Sequence, residues 1–192
     1  QKNISEGQLF GLEHIYEHYL SDGAAGRMQA YLKDRWEKPG SRYHVMKEMF
    51  ACLHKLEVLS ADWPKKVRHY EKVLFGGGRK QYEALHQYRM SDKIAEQLLS
   101  YFIYVYFAGA VYDGMPYSKV KLAVISTMLI EDMVCAKAAK KGQLSFEAIT
   151  DVAHSYAREV EHSDLNLQRL SIMFRHRKCF HIGRLCGALL EW

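Results

Sequence analysis

Apolar residues recur along most of the chain at steps of three and four, a spacing that places them on one face of an α-helix. No stretch alternates apolar and polar residues over the length of a β-strand. The first apolar stripe predicts a helix from Gln8 to Leu20. Further helices are predicted over 24–37, 41–59, 79–88, 91–113, 117–141 and 146–162, with a short one after Asp62 and two more between Ser163 and Leu190. The pattern predicts an all-α fold.

Prolines and glycines fall between the predicted helices. Pro39, Pro64 and Pro116 each stand at such a break, where the missing N–H costs little. The glycine triplet at 76–78 predicts a flexible loop, because no strand precedes it and no lysine-serine pair follows it. We predict a single helical domain over 1–192, a multi-helix bundle of about eight to ten helices, with a weak subdivision near 76–78.

The longest charge-free stretch runs from Gln97 to Tyr112 and contains several tyrosines. As a helix it would be roughly 24 Å long, which is shorter than the ~30 Å hydrocarbon core of a membrane. We therefore predict that a helix over about 91–113 forms the buried, aromatic-rich centre of the bundle, and that the protein has no membrane partner.

Composition narrows the functional classes. Of the 192 residues, 48% are hydrophobic and 26% are charged, as in globular proteins. The net charge of +5 is not gathered into a basic tract, so no nucleic-acid partner is predicted. Cys52, Cys135, Cys179 and Cys186 lack the spacing of a metal site, which predicts free, buried thiols and a cytoplasmic location.

The segment 156–166 holds a dense set of titratable side chains. On a regular helix at 100° per residue, Glu159 lies at the edge of the buried stripe, His162 lies further round, and Arg158 points away. A half-buried carboxylate can have a shifted pKa, which makes Glu159 the leading candidate for a functional acid.

The same segment also suits a plain corner between two helices. Ser163 is a good N-cap, Asp164 suits the first turn of the next helix, and Asn166 can hydrogen-bond back across the corner. This structural interpretation accounts for most of the polar residues without a ligand.

Two Glu-x-x-His pairs, at 83–86 and 159–162, raise a di-metal alternative. In ferritin-like bundles, two such pairs and two further glutamates hold the metals. The additional carboxylates would have to come from Glu48, Glu57, Glu96 or Glu131. Glu83 adjoins the glycine loop, unlike a ligand on a long amphipathic helix, so we assign no metal ligands and keep the di-metal carboxylate bundle as a third hypothesis.

Two segments resemble the C-terminal part of the bacterial flagellin lysine-N-methylase family. The first runs from Tyr101-Phe102-Ile103-Tyr104-Val105-Tyr106-Phe107 to Val120-Lys121-Leu122-Ala123-Val124, and the second reads Tyr-x-Arg-Glu-x-Glu-His-Ser-Asp-x-Asn from Tyr156 to Asn166. From the start of the first to the end of the second they span roughly a third of the chain, and the His162-Ser163-Asp164 corner with Asn166 is the more distinctive part.

The resemblance implies methyl transfer from S-adenosylmethionine to lysine ε-amines of flagellin. It also implies an iron–sulfur cluster, held by an N-terminal cysteine cluster that this chain lacks, so the cluster is expected in a longer parent protein and not in this chain. We therefore expect a C-terminal helical domain that completes the active site or binds flagellin, and that does not suffice for catalysis by itself.

A lysine methyltransferase needs a carboxylate or tyrosine to bind the ammonium and aromatic walls to hold the lysine stem. The expected catalytic residues are Glu159, Glu161 and His162, and the expected substrate-binding residues are Tyr112, Asp113, Tyr156, Asp164 and Asn166. The alternative hypothesis, from a different class, is a non-catalytic helical protein-interaction module.

Overall fold

A computed structural model describes residues 17–18, 20–36 and 41–191 of the chain. Within these ranges every regular element is a helix, which confirms the all-α prediction. The predicted helix from Gln8 to Leu20 lies almost wholly outside the described residues, and so does the predicted break at Pro39.

The described elements are α-helices, joined in places by short 3-10 helices and by one π-helical turn. The α-helices are α1 (Ala24–Trp36), α2 (Ser41–Leu53), α3 (Trp63–Phe75), α4 (Gly78–Leu85), α5 (Asp92–Tyr106), α6 (Ala110–Asp113), α7 (Pro116–Lys141), α8 (Phe146–Tyr156), α9 (Asp164–His176) and α10 (Ile182–Leu189). Three short 3-10 helices occupy His86–Tyr88, Phe107–Gly109 and Lys178–Phe180, and a π-helical turn occupies Ala157–Glu161.

The ends of α7 follow from its sequence. Pro116 stands in its first turn, where the absent N–H has no intrahelical partner to lose. Gly142 ends the helix with φ +72°, a left-handed conformation that glycine adopts without a Cβ penalty. Between these signals the predicted helix 117–141 is confirmed.

Helix α7, the longest helix among the described residues, forms the centre of the fold. Its side chains are buried from Leu122 to Ala136 except at Val124, and α2, α3, α5, α8 and α9 all pack against it. The helices α3 and α4 are separated by Gly76 and Gly77, and they contact each other and α7.

The prediction that the helix at 91–113 is the buried centre is therefore wrong. Of α5, only Phe102 is fully buried, and Tyr104 is 87% exposed. The helical stretch Asp92–Asp113 is, among the described residues, the one long and apolar enough by length and composition to cross a membrane, and only 6% of its most apolar window is buried. An absence of charge does not distinguish a core helix from an exposed aromatic one.

Helix α7 was predicted, but its central position was not, because it carries two adjacent acids, Glu131 and Asp132, in the core. Arg42 of α2 offsets them: its Nη2 donates to Glu131 Oε2 and to Asp132 Oδ1, both at 2.9 Å. Tyr82 of α4 donates its hydroxyl to Asp132 Oδ2 at 2.8 Å. Buried charges are tolerated where they are paired and hydrogen-bonded, and here the pairs join three helices.

Candidate functional site

The segment 156–166 begins at the last residue of α8 and continues through the π-helical turn. The N–H of His162 donates to the carbonyl of Ala157 at 3.1 Å, a five-residue step. The wider turn changes the angle between successive residues, so the projection at 100° per residue places Glu159 incorrectly, although Arg158 is exposed as predicted. Glu159 is 1% exposed and not at the edge of the buried stripe, while His162 lies on the surface.

The helix corner that follows is built as the sequence predicts. Ser163 is the N-cap of α9, and its Oγ accepts a hydrogen bond from the N–H of Asn166 at 3.1 Å. Asp164 is exposed in the first turn, where its negative charge interacts favourably with the helix dipole.

Asn166, which is fully buried, ties this corner to the loop after α2. Its Oδ1 accepts from the N–H of Glu57 at 2.7 Å. Its Nδ2 donates to the carbonyl of Glu57 at 3.0 Å and to that of Glu159 at 2.6 Å. These bonds satisfy backbone groups that would otherwise be buried without partners.

The Glu159 side chain serves the same loop. Its Oε2 accepts from the N–H of Leu59 at 3.0 Å, and Oε1 is buried with no hydrogen-bond partner among the described residues. A carboxylate in this position holds the N–H of Leu59, and its side chain is buried. The described contacts of Glu159 and Asn166 join the helix corner to this loop, and the roles of both residues in a site stay predictions.

Glu161 lies on the open side of the same turn and is half-buried. Its Oε2 accepts hydrogen bonds from two hydroxyls of α5, those of Tyr101 at 3.0 Å and Tyr106 at 2.9 Å. The π-helical turn and α5 thus form a small site in which a carboxylate is bounded by two phenols.

The protonation of these tyrosines is set by their surroundings. Burial raises the pKa of Tyr106, and the Glu161 carboxylate raises it further; the same two causes act on the pKa of Tyr101. Both phenols therefore stay neutral and donate to Glu161 at neutral pH.

The remaining predicted substrate residues do not all lie together: Tyr112 and Asp113 are neighbours in α6, whereas Tyr156 ends α8. Tyr156 is buried, and its hydroxyl is 2.9 Å from the Ser126 hydroxyl, so it supports the π-helical turn from inside. Tyr112 is 92% exposed in α6. Asp113 accepts from the N–H of Met115 at 2.9 Å and pairs with Lys119 at 2.8 Å, which fixes the turn into α7.

The buried charges on α7 form a second cluster that carries a proton. Burial and the neighbouring Asp132 raise the pKa of Glu131 to about 8, and Arg42 only partly opposes this. Burial also disfavours the Asp132 anion, but Arg42, His86 and Tyr82 outweigh it and lower the pKa of Asp132. The Arg42 guanidinium thus neutralises the Asp132 carboxylate, and Glu131 binds a proton at neutral pH.

The four cysteines are free and buried, as predicted. Cys52 and Cys179 are hydrogen-bonded neighbours, and Arg177 Nη1 donates to Cys52 Sγ at 3.2 Å. The hydrogen bond with Cys179 has the larger effect and Arg177 the smaller one, and together they lower the pKa of Cys52 to about 7, although burial raises it. Within 17–18, 20–36 and 41–191, no three His, Cys, Asp or Glu side chains are grouped to hold a metal ion.

Sequence reasoning missed the partners of Glu161 and the cluster around Arg42. Tyr101 and Tyr106 lie five residues apart, a spacing that is not one of the side-by-side pairs of a regular helix. A lone buried arginine followed some ninety residues later by an acidic pair gives no local signal. Only the tertiary packing of α2, α4 and α7 brings that cluster together.

The fold and the site define an all-α domain with a tyrosine-bounded carboxylate at a helix corner. Residues 1–188 match the FliB lysine N-methylase C-terminal domain family, so the chain belongs to that family. The match confirms the resemblance carried by the segments at 101–124 and 156–166. Comparison with curated proteins and with solved structures found no match.

Proposed function

We propose that this chain is the part of a flagellin lysine N-methylase that binds the substrate lysine, and that Glu161 receives its ε-ammonium group. The observation that supports this role is the pair of hydrogen bonds from Tyr101 and Tyr106 to Glu161. They orient a partly accessible carboxylate beside an aromatic surface.

The alternatives in the same segment are less suitable. Glu159 is enclosed and bonded to the loop after α2, and His162 has no described side-chain partner to orient it. Glu161 combines accessibility with fixed geometry, which binding sites require of their polar groups.

A carboxylate stabilises the charged form of a neighbouring amine. The site therefore suits capture and orientation of a lysine ammonium better than removal of its proton. Tyr104, on the exposed side of α5, adds an aromatic surface on which the methylene stem of a lysine can lie.

The methyl donor and the iron–sulfur cluster belong to the same proposal. S-adenosylmethionine would supply the transferred methyl group. Two of the grooves lined by described residues are dominated by basic side chains, which do not fit a sulfonium cation. The described cysteines offer no cluster ligand set. We therefore propose that both groups bind elsewhere in the longer protein, which acts on flagellin in the cytoplasm.

The test is flagellin methylation by the full-length protein that carries Glu161→Gln. We expect the KM for flagellin to rise about tenfold, which corresponds to about 1.4 kcal/mol of binding free energy. Glu96→Gln is the matched control, because Glu96 is exposed on α5 and forms no ion pair among the described residues. Unchanged methylation by a folded Glu161→Gln protein would refute the proposal.

A second candidate function is a non-catalytic interaction module. The exposed apolar side chains of α5 and α6 favour it, because monomeric proteins rarely expose such a surface without a partner. A specific partner other than flagellin, captured equally well by the wild-type protein and the Glu161→Gln protein, would support this alternative.

A further inference from the structure

A basic groove lies where α9 ends and α10 begins. It has a volume of about 450 Å³, and every lining residue except Phe174 is basic. The cations that matter here are Lys121, Arg175, Arg177, Lys178 and Arg184. Such a concentration of one sign of charge in a concave site attracts anions.

Most of these cations lack a carboxylate partner. Arg184 pairs with Glu48 at 2.8 Å, and it is the one lining residue with an ion pair inside the described ranges. Lys121 donates to the carbonyl of Phe174 at 3.0 Å, and burial lowers its pKa. Lys121 and Arg177 are half-buried, whereas Arg175, Lys178 and Arg184 are exposed.

An exposed apolar strip adjoins the groove through α7. Tyr117 and Val120 are exposed, and the Lys121 ammonium lies 4.8 Å from the centre of the Tyr117 ring. The Gly114 turn joins this end of α7 to α6, where Val111 is 85% exposed. Arg175, a groove residue, contacts Met115 in the same turn. The groove and the strip therefore form one continuous surface.

We infer that this surface docks a segment of the substrate protein that carries an apolar side and adjacent carboxylates. The strip, defined by Val111, Tyr112, Tyr117 and Val120, would contact the apolar side, and the groove would bind the carboxylates. This inference rests on the proposed function, in which flagellin is the substrate. It assigns to the domain a second contact with flagellin, apart from the lysine site at Glu161.

Charge complementarity identifies the occupant. A groove of about 450 Å³ that includes the half-buried cations Lys121 and Arg177 accepts projecting carboxylate side chains better than it accepts a flat lipid headgroup layer. A second groove, of about 580 Å³, is also rich in lysines. There, however, Lys66, Lys137 and Lys141 pair with acids of the same protein. The second groove therefore supplies a natural control.

The experiment measures the affinity of the full-length protein for purified flagellin. Arg175→Glu with Lys178→Glu reverses two exposed groove charges, and Tyr112→Ser removes an exposed ring of the strip. Lys65→Glu with Lys140→Glu changes the net charge equally in the second groove, where both lysines are exposed. We expect at least a tenfold loss of affinity for the Arg175/Lys178 pair, a several-fold loss for Tyr112→Ser, and less than a twofold change for the control pair.

Two results would overturn the inference. Equal losses of affinity for the two charge-reversed pairs would mean that only the net charge acts. Unchanged affinity of the folded Arg175/Lys178 variant would mean that flagellin does not use this surface. Binding to vesicles of phosphatidylglycerol and phosphatidylcholine that depends on Arg175 and Lys178, with flagellin affinity unchanged, overturns the inference in favour of a membrane contact. Because Glu161→Gln is scored separately by methylation, failure of the docking surface is distinguishable from failure of the lysine site.

Discussion

The carboxylate of Glu161 accepts a hydrogen bond from the hydroxyl of Tyr106 at 2.9 Å, and this contact connects the π-helical turn to α5. Two residues earlier in the chain, Glu159 is turned inward and bonded to the N–H of Leu59. The two acids stand in the same five-residue turn, yet one holds the fold together and the other faces the surface. This division underlies the first prediction.

Glu159→Ala is expected to destabilise the protein, and Glu161→Gln is not. Removal of the Glu159 carboxylate leaves the Leu59 N–H without its acceptor, at a cost of about 1–3 kcal/mol in the free energy of unfolding. Glu161→Gln keeps the side-chain shape and an acceptor oxygen, so its effect should stay within about 0.5 kcal/mol. Urea unfolding of the two variants measures both values, and a larger loss for Glu161→Gln would contradict the assignment.

Asn166→Ala should be more destabilising than a change at Asp164. Asn166 is fully buried and makes three side-chain hydrogen bonds to the backbone of Glu57 and Glu159. Their loss should lower the free energy of unfolding by about 2–4 kcal/mol. Asp164→Ala, at an exposed first-turn position, should cost about 0.3–1 kcal/mol. Thermal unfolding of both variants tests the ranking, and equal costs would show that the loop contact is not important for stability.

Glu131→Gln is expected to make stability less sensitive to alkaline pH. The pKa of Glu131 rises from 4.5 to about 8 on folding, so the native state holds the extra proton between these values. In the wild-type protein this group's contribution is fully present below pH 4.5 and is lost as the pH rises through 8.

The variant lacks this titration. Its free energy of unfolding should therefore increase relative to wild type by on the order of 2–4 kcal/mol between acid and mildly alkaline pH. Chemical unfolding at several pH values gives the difference directly. A difference that stays constant across the window would mean that Glu131 is ionised in the native state.

The exposed position of α5 predicts an uneven response to truncation along that helix. Phe102→Ala removes a fully buried ring and should cost about 3–5 kcal/mol. Tyr104→Ala removes a ring that is 87% exposed, and its cost should lie within about 0.5 kcal/mol. If calorimetry found similar losses for both, α5 would be covered on both faces.

Much of the fold could be predicted from local patterns. Pro116 and Gly142 define the ends of α7, and Ser163 caps α9, because these signals act within a single turn of chain. The position of the centre could not be predicted. The charge-free stretch that begins in α5 favoured that helix as the centre. The central helix is α7, which carries acids whose partner, Arg42, is distant in sequence.

The candidate site was predicted in part. The corner at Ser163 and the family resemblance could be read directly from residue types, and both are confirmed. The roles of Glu159 and Glu161 could not be separated, because that requires the π-helical turn, and a projection of constant pitch omits it. The tyrosine partners of Glu161 depend on how α5 packs against this turn, which is a tertiary contact.

The most direct test of the lysine site is a double-mutant cycle between Glu161 and Tyr106 in the full-length protein. The KM for flagellin is measured for wild type, Glu161→Gln, Tyr106→Phe and the double variant. If the two residues form one ammonium-binding site, each single change raises KM, kcat changes less, and the double variant is no worse than Glu161→Gln alone, a non-additivity expected of contacting residues. If the KM of the folded Glu161→Gln protein equals that of wild type, Glu161 does not bind the substrate lysine.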